Sequence, residues 1–346
     1  MRASPATYAE VQGWDELVIA TGRPHLLQTA AWAEVKAATG WAARRFVLED
    51  GRGSVRHGVA QVLVKRLPLG IAVAYAPRGP LVEPARMAEA IIALRDALAR
   101  ERCASLLCDP EVPADPVLLE ELRRAGVRRS PVFVQPRRTL LMDLGREPEE
   151  LLSAMKKKTR QYIHKAERAG VVTEETPDLG RFLAVLRAVA ARDRFALHSR
   201  GYFEKLLAAL GARGRMLMAR VGDEDAGALL IARLDDRAWE LYGGWSGAHG
   251  ESRPFYLLKW RAMLRARAQG ARRYDMWGLG ERGTDGSGDD AAPGQDAGPL
   301  AGVENFKLGF GGEVAEWVGA LEIPVRPMLY PLWTLVARRR LARSAA

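Results

Sequence analysis

The chain has 346 residues, of which 48% are hydrophobic and 27% charged, and this suits a globular protein of two domains of ordinary size. Lys and Arg number 52 against 42 Asp and Glu, and the net charge of +10 favours a polyanionic partner: nucleic acid, a phosphorylated small molecule or an anionic membrane face. Only two cysteines are present, Cys103 and Cys108, which excludes a disulfide scaffold and a four-cysteine zinc site.

Metal-binding and targeting patterns are missing from the sequence as well. The five histidines form neither an HxxxH nor an HExxH pattern, so we expect no metal and no cofactor. Both cysteines are expected to be buried thiols in a reducing compartment. Residues 1–12 lack the basic and apolar regions of a signal peptide, and no apolar run reaches the roughly 18–20 residues of a spanning helix. We expect a cytoplasmic protein, with contact to the inner membrane face as an open alternative.

The first part of the chain predicts one α/β unit. Two helices come first, 13–20 and 29–39, and Thr29 is a suitable N-cap for the second. Short strands bounded by Gly or Pro follow, together with two longer helices. These elements are the strands Ala42–Leu48, Gly58–Val64, Ile71–Tyr75 and Ser105–Cys108 and the helices Ala85–Arg102 and Pro116–Ala125.

A second unit begins near Arg137 and repeats this pattern. The order strand, strand, glycine-bearing turn, helix, strand occurs in both halves, and a tyrosine, Tyr75 or Tyr242, ends the second strand of each. The predicted elements are the strands Thr139–Leu144, Met216–Val221, Ala226–Leu234, Ala238–Trp245 and Arg273–Trp277 and the helices Pro148–Ala169 and Phe255–Gln269. The fold class is therefore α/β (α+β), with two duplicated acetyltransferase-like (GNAT-like) domains, 1–136 and 137–346. Gly180–Gly211 is too short for a long coiled-coil arm.

Two segments of the second unit have a distinctive composition. Gly280–Pro299 is rich in Gly, Asp, Ala and Ser, which predicts a mobile acidic loop of the kind that often forms a lid. The tail Pro324–Ala346 ends in a basic run. It predicts a helix that either packs on its domain with a solvated basic end or lies on an anionic surface.

The stretch Gly302–Gly312 holds a Phe-Lys pair directly before three glycines. Glycines permit tight turns and close backbone approach, so Lys307 could meet an anion there. The alternative is a glycine-rich hairpin with a solvated lysine. Both readings stay open at this point.

The most basic segment is Lys156–Arg168. On a helix, the preceding Met155 together with Thr159, Ile163 (or Tyr162) and Ala166 would form a buried stripe. Lys156, Arg160 and His164 then lie on one flank, where like charges repel. The segment is either a solvated basic face or a binding surface for the phosphates of a nucleotide or RNA.

No common catalytic motif accompanies these segments. The chain has no GxSxG elbow, no Walker loop and no GxGxxG after a strand. The pyrophosphate-binding signature of acetyl-coenzyme A enzymes is also missing, because Arg267–Arg272 fails at its last position. This argues against a coenzyme A-linked acyl donor.

Six weak motifs in order, from about residue 25 to 330, resemble the Fem-type (FemABX) aminoacyltransferases. The sequence Tyr75-Ala-Pro-Arg-Gly-Pro80 is one of them; its two prolines stiffen the backbone around Arg78. The others are Leu27-Gln28-x-x-x-Trp32 with Lys36, Arg160-x-x-Ile163-x-Lys165-Ala166-x-x-x-Gly170, Tyr242-Gly-Gly-x-Ser246, Tyr274-Asp-Met-Trp-Gly278 and Phe306-Lys307-x-Gly-Phe310-Gly-Gly312.

The resemblance implies a non-ribosomal peptide-bond former that uses aminoacyl-tRNA as donor and a UDP-linked or lipid-linked peptidoglycan precursor as acceptor. In this picture Lys307 stabilises the developing negative charge, and Glu83, which follows the proline turn, is a candidate general base. Lys36 and Arg160 would hold precursor phosphates, and Tyr75 and Tyr256 would line the acceptor groove. The full set of implied substrate-binding residues is Lys36, Tyr75, Arg78, Arg160, Tyr242, Tyr256 and Phe306.

Two other interpretations remain. One is an N-acyltransferase with another activated acyl donor, which the missing coenzyme A signature weakens. The other is a non-catalytic protein that binds RNA or a membrane surface through its basic residues.

Overall fold

The computed structural model describes residues 1–51, 55–67, 70–130, 134–279 and 299–331, with the side chains of 299–302 left out. The chain divides into two compact units of mixed α/β structure. One unit combines Met1–Arg137 with the residues from Glu316 onward, and the other is Arg138–Ala315.

The first unit is built on a sheet that is antiparallel except for one parallel pair, β4 and β6. Its strands are β1 (Arg2–Pro5), β2 (Ala42–Glu49), β3 (Arg56–Arg66), β4 (Ala72–Ala76), β5 (Leu81–Val82), β6 (Cys103–Cys108), β7 (Arg128–Arg129) and, from the end of the chain, β15 (Leu321–Pro324). The sheet order is β1-β2-β3-β4-β6-β15-β7, and β5 pairs with β3. Every residue of β4 and β6 is buried, which explains why both read as continuous small and apolar runs.

The helices of the first unit cover this sheet. They are α1 (Tyr8–Gln12), α2 (Trp14–Ala20), α3 (Ala30–Ala37), α4 (Met87–Leu98) and α5 (Pro116–Arg124). The hydroxyl of Thr29 accepts the N–H of Trp32, so the predicted N-cap of α3 is confirmed. Helix α4 is shorter than predicted, because its ends tighten into 3₁₀ turns and Arg102 takes a left-handed φ of 55° that ends the helical path.

Strand β15 corrects the domain division expected from the sequence, which placed the whole of 137–346 in the second domain. The strand pairs antiparallel with β6, with Leu321 opposite Cys108, and with β7 on its other side. Leu321 and Ile323 join the core of the first unit, where both cysteines are buried free thiols, as predicted. The described residues from 316 to 331 therefore belong to the first unit.

The second unit has a sheet of order β14-β8-β13-β12-β11-β10-β9. Its strands are β8 (Arg138–Asp143), β9 (Val172–Glu175), β10 (Gly214–Val221), β11 (Glu224–Leu234), β12 (Arg237–Trp245), β13 (Arg273–Asp275) and β14 (Glu313–Glu316). Strands β12 and β13 run parallel, whereas β10, β11 and β12 form an antiparallel meander. A register shift opposite Leu230 and Ile231 makes Leu241 an extra residue in β12.

The helices of the second unit include the two segments singled out in the sequence. They are α6 (Pro148–Ala154), α7 (Lys157–Arg168), α8 (Leu179–Asp193), α9 (Arg200–Leu210), α10 (Pro254–Ala268) and α11 (Pro299–Leu308). Between α6 and α7, Met155 is extended, so the predicted helix 148–169 is two helices. The break lets the N–H of Lys156 donate to the carbonyl of Gly309, 2.9 Å away, a tertiary contact that no local pattern contains. The buried stripe of α7 is confirmed: Thr159, Ile163 and Ala166 are buried.

The stretch 302–312 is not a hairpin, and that interpretation is wrong. It ends a helix, α11, and turns through its glycines into β14. A Cβ at Gly309 would lie 2.4 Å from the hydroxyl oxygen of Thr159, and one at Gly311 would lie 2.9 Å from the carbonyl oxygen of Ala154. The glycines thus allow α11 to approach the α6–α7 junction closely.

Two sequence predictions lie outside the described residues. These are the loop at 280–298 and the basic run that follows residue 331. Among the helices that the structure describes, none is long and apolar enough to cross a membrane.

Candidate active site in the second unit

A cavity of about 590 Å³ opens in the second unit beside the bulge of β12. Its walls come from α8, β12, the start of α10, the segment after β13 and the last turns of α11. The lining includes Glu240, Leu241, Tyr242, Gly243, Gly244, Trp245, Arg253, Phe255, Tyr256, Lys259, Met276, Trp277, Gly278, Phe306 and Lys307. A mostly apolar pocket with a few convergent polar groups has the composition of a small-molecule or substrate site.

Lys307 donates hydrogen bonds to two main-chain carbonyls in this cavity. Its Nζ lies 2.8 Å from the oxygen of Trp277 and 2.6 Å from that of Gly278. Those carbonyls are available because strand β13 ends at Asp275, so that Trp277 and Gly278 lie beyond its ladder. The main-chain N–H of Trp277 donates a hydrogen bond to the Asp275 carboxylate, 2.8 Å away. An ammonium has three N–H donors, so one remains for a ligand.

The charge on Lys307 is disfavoured by its surroundings. Burial, followed by the charge of the nearby Lys259, lowers the pKa of Lys307 to about 8, although Glu240 and Asp275 act in the opposite direction. Lys307 is therefore an ammonium that loses its proton far more readily than a surface lysine.

A buried ion pair lies beside Lys307 and was missed by sequence reasoning. Lys259 of α10 is hydrogen-bonded to Glu240 of β12, and their side chains are 3% and 6% exposed. The hydroxyl of Tyr274 donates to the other oxygen of Glu240 at 3.0 Å. One signal was present: Lys259 stands between Leu258 and Trp260 on a helix whose neighbouring positions are buried.

Aromatic rings form the opposite wall of the cavity. The ring of Phe306 stacks on Phe255 at 5.6 Å and meets Tyr256 edge-on at 4.7 Å. The Tyr256 ring in turn meets Tyr162 of α7 edge-on at 4.9 Å. This cluster shields Lys307 from water on the side of Phe306.

Tyr242 adds a hydroxyl to the cavity lining. Its oxygen lies 3.0 Å from the hydroxyl oxygen of Tyr202, and burial raises the pKa of Tyr242. The structure thus brings together four residues that the sequence nominated: Tyr242, Tyr256, Phe306 and Lys307.

Arg160 does not line this cavity. Its Nη1 donates to the carbonyl of Ser153 at 3.0 Å and to that of Met155, so the guanidinium caps the end of α6. The geometry gives Arg160 a structural partner in place of the predicted phosphate.

Tyr75 and Arg78 are buried in the first unit, where both contact Asp109. The hydroxyl of Tyr75 donates to one carboxylate oxygen at 2.6 Å, and the main-chain N–H of Arg78 donates to the other at 2.7 Å. Burial raises the pKa of Asp109 to about 6. The Arg78 guanidinium donates to the carbonyl of Pro136 at 2.8 Å. Sequence reasoning missed Asp109, although it follows a fully apolar strand directly.

Glu83 and Lys36 have contrasting surroundings. Glu83 is 66% exposed and forms a two-bond ion pair with Arg23, which lowers the pKa of Glu83. Such a carboxylate is a weak base, so the geometry does not support Glu83 as the general base. Lys36 lies 4.7 Å from the ring of Trp32, and burial followed by the charge of Lys65 lowers the pKa of Lys36.

Among the residues that the structure describes, no group of three or more His, Cys, Asp or Glu side chains is arranged to hold a metal ion.

Two family models match separate parts of the chain. Residues 10–122 match the FemAB family, and residues 153–290 match an acetyltransferase (GNAT) domain. The second match contains most of the cavity lining described above, including Glu240, Tyr256 and Lys259.

Curated relatives include proteins of Staphylococcus aureus. The chain is 31% identical over 205 residues to a lipid II:glycine glycyltransferase of Staphylococcus aureus, an alignment covering 55% of this chain and 48% of the relative. The protein of the same name from strain MRSA252 is 30% identical over 219 residues, covering 59% of this chain and 51% of the relative. The chain thus spans about half the length of the curated relatives it matches.

Solved structures share the fold along nearly the whole chain. A crystal structure of FemX superposes with a TM-score of 0.81 at 22% identity, covering 97% of this chain and 100% of the other. A tandem GNAT protein from the clavulanic acid biosynthesis pathway superposes with a TM-score of 0.53 at 17% identity, covering 94% and 98%. These likenesses confirm the predicted fold class of two GNAT-like domains.

Proposed function

We propose that the chain acts as a FemABX-type transferase, which moves an amino acid from aminoacyl-tRNA to the side-chain amine of a peptidoglycan precursor's stem peptide. The relatives' name, lipid II:glycine glycyltransferase, favours a lipid-linked acceptor over a UDP-linked one. The observation that carries the proposal is Lys307, held on two carbonyls in the cavity with one N–H to donate.

The reaction needs orientation of the reactants and charge stabilisation more than a strong general acid or base, because the donor ester is already activated. The acceptor amine attacks the ester carbonyl, a C–N bond forms, the C–O bond to the ribose breaks, and the proton of the amine passes to the ribose oxygen. Negative charge develops on the carbonyl oxygen during this step. In our proposal the remaining N–H of Lys307 points to that oxygen, as a preorganised donor in a site with little water.

The other nominated residues fit supporting roles. Phe306 and Tyr256 would hold the donor's acyl end against Lys307, and the Tyr242 hydroxyl would accept or donate a bond to the acceptor peptide. In the first unit, Lys36 has a lowered pKa and lies beside Lys65, so a precursor phosphate would relieve the repulsion between them.

The replacement Lys307→Ala tests the proposal. Removing one oxyanion donor costs about 10²–10³-fold in turnover in enzymes of comparable chemistry, so we expect a loss of at least about tenfold here. The measurement is mass spectrometry of a lipid-linked and a UDP-linked precursor after incubation with a pool of charged tRNAs. The expected product is a precursor that has gained the mass of one amino-acid residue. If the gain is absent when the charged tRNA is digested with RNase before the reaction, the experiment identifies the donor, the acceptor and the transferred residue together.

The control is Lys205→Ala, which removes an exposed lysine of α9 in the same unit. Circular dichroism of both variants must match the parent protein. Wild-type turnover in Lys307→Ala would contradict the role of Lys307. Transfer from an acyl thioester in place of charged tRNA would contradict the donor.

A further inference from the structure

Three consecutive exposed lysines, Lys156, Lys157 and Lys158, open helix α7. The first turn of α7 contains no acidic residue, although positive charge is disfavoured at this end of a helix. A bound anion would offset this unfavourable placement of charge.

The protein does not supply that anion within the part of the chain that the structure describes. The acidic residue of α7 is Glu167, and it is already paired with His164 at 3.1 Å and Arg261 at 3.0 Å. No described carboxylate lies within ion-pair distance of the three lysines.

A row of side chains connects this lysine cluster (Lys156–Lys158) to the cavity. The Nζ of Lys158 lies 5.7 Å from the ring of Tyr162, and the guanidinium of Arg253 lies 4.4 Å from the same ring. Tyr162 then contacts Tyr256, which contacts Phe306, the neighbour of Lys307. A continuous row of cation–ring and ring–ring contacts therefore runs from the exposed Lys158 to Phe306, beside Lys307.

The cluster is also fixed relative to Lys307. The main-chain N–H of Lys156 donates to the carbonyl of Gly309, two residues after Lys307. Because Gly309 has no Cβ, the turn lies directly against Thr159 of α7. A ligand held on the first turn of α7 is thus held at a set position relative to the catalytic lysine.

We propose that the lysine cluster binds the phosphate backbone of the donor RNA, and that Tyr162 and Arg253 guide its 3′ end into the cavity. This inference rests on the proposed function, since it assigns a surface to the donor of that reaction. Cationic grooves interleaved with aromatic rings are the usual arrangement for single-stranded nucleic acid, in which phosphates meet the cations and bases stack on the rings.

The chemistry of α7 favours RNA over an anionic membrane. A helix that lies in a membrane interface presents large apolar side chains beside its lysines. In α7 the apolar stripe of Thr159, Ile163 and Ala166 is buried in the protein, and the exposed positions of the helix are charged or polar.

The test compares a triple variant, Lys156→Ala/Lys157→Ala/Lys158→Ala, with a control that removes the same charge elsewhere in this unit. The control is Arg187→Ala/Lys205→Ala/Arg272→Ala, at three exposed positions. Affinity is measured by fluorescence anisotropy with a labelled RNA hairpin that ends in a single-stranded 3′-ACCA overhang, over a range of salt concentrations. Vesicles of phosphatidylglycerol form a second arm with all three proteins.

We expect the lysine triple variant to raise the Kd for the hairpin at least about tenfold at roughly 100 mM salt, and the control to raise it less than about threefold. The slope of log Kd against log salt should fall by about 2, because each lost single-strand phosphate contact contributes about 0.7. Tyr162→Ala should also weaken binding but leave the salt slope unchanged.

Three outcomes would overturn the inference. If the two triple variants bind the hairpin with equal affinity, the first turn of α7 is not the RNA-binding surface. No binding of RNA by the parent protein would lead to the same conclusion, and vesicle binding that depends on the cluster would identify a membrane surface instead. Lys307→Ala separates the two proposals, because it should lower transfer at least about tenfold and keep RNA affinity. If the cluster binds RNA but the parent protein transfers no amino acid, the proposed function fails and the surface stands.

Discussion

At the scale of single residues, the candidate site depends on an unusual concentration of buried charge. Lys307 and Lys259 are two cations in one apolar cavity, and the carboxylates of Glu240 and Asp275 offset them incompletely. Charges out of water interact more strongly than surface charges, so each of these groups affects the protonation of the others.

This arrangement predicts the pH dependence of the reaction. The pKa of Lys307 is lowered to about 8, so its ammonium is present below that pH and is lost as the pH rises through it. Because the ammonium is the hydrogen-bond donor, kcat/KM should fall above about pH 8. Glu240→Gln removes a negative charge that favours the ammonium, so the fall should move to lower pH. Lys259→Met should move it to higher pH.

The same shifts can be measured without substrate, as the pH dependence of Lys307 acetylation by acetic anhydride, followed by mass spectrometry. Each substitution leaves a buried charge unpaired and should reduce stability by about 3–5 kcal/mol, so urea unfolding must first show that the variants fold. A pH profile that stays fixed in both variants would contradict the electrostatic coupling.

At the scale of secondary-structure elements, the site depends on the turn between α11 and β14. Gly312 has a φ of +85°, and a Cβ at this position would lie 2.5 Å from the carbonyl oxygen of Leu141 in β8. The turn therefore presses its backbone against the neighbouring strand, and this contact sets where α11 presents Lys307.

Gly312→Ala and Gly170→Ala separate backbone conformation from close approach. Gly170 has a φ of +70°, and a Cβ at this position would have no atom within 4 Å. Gly170→Ala should therefore lower the free energy of unfolding only because alanine disfavours the left-handed conformation, by about 1–2 kcal/mol. Gly312→Ala should lose about 1–3 kcal/mol more, because a main-chain oxygen must move. Urea denaturation gives the free energy of unfolding of both variants. Equal losses would show that β8 can move away from the added Cβ without a loss of stability.

At the scale of the whole molecule, the chain returns to its first unit after completing the second. Strand β15 lies between β6 and β7, so the sheet of the first unit is incomplete without residues from the end of the chain. The second unit, in contrast, is continuous from Arg138 to Ala315.

Fragments of the chain test this connectivity. A fragment of residues 138–316 keeps all seven strands of its sheet and should unfold cooperatively in urea. A fragment of residues 1–137 lacks β15 and exposes the edge of β6, so it should be unfolded or aggregated until residues 316–346 are supplied. Cooperative unfolding of residues 1–137 alone, with the midpoint of the intact protein, would contradict the structural role of β15.

The sequence by itself determined those features that depend on local pattern. Short apolar runs bounded by Gly and Pro located the central strands, and the repeated element order gave two GNAT-like domains. The N-cap of α3 was predictable from Thr29, and the buried stripe of α7 from the helical spacing around Ile163. Phe306 and Lys307 were identifiable because a charged residue beside an aromatic one, directly before glycines, is locally distinctive.

The tertiary structure alone decided which side chains meet. Lys259 and Glu240 are ordinary members of a helix and a strand until folding buries them together. Arg160 looked free to bind phosphate and Arg78 to bind substrate, but carbonyls that lie nearby only in the folded chain accept hydrogen bonds from both. The α6–α7 break and the return of β15 depend on Gly309 and Cys108, far away in sequence. The periodicity of a sequence segment indicates which face of its helix or strand is buried. A functional site, in contrast, is formed by contacts between segments that are distant in the sequence.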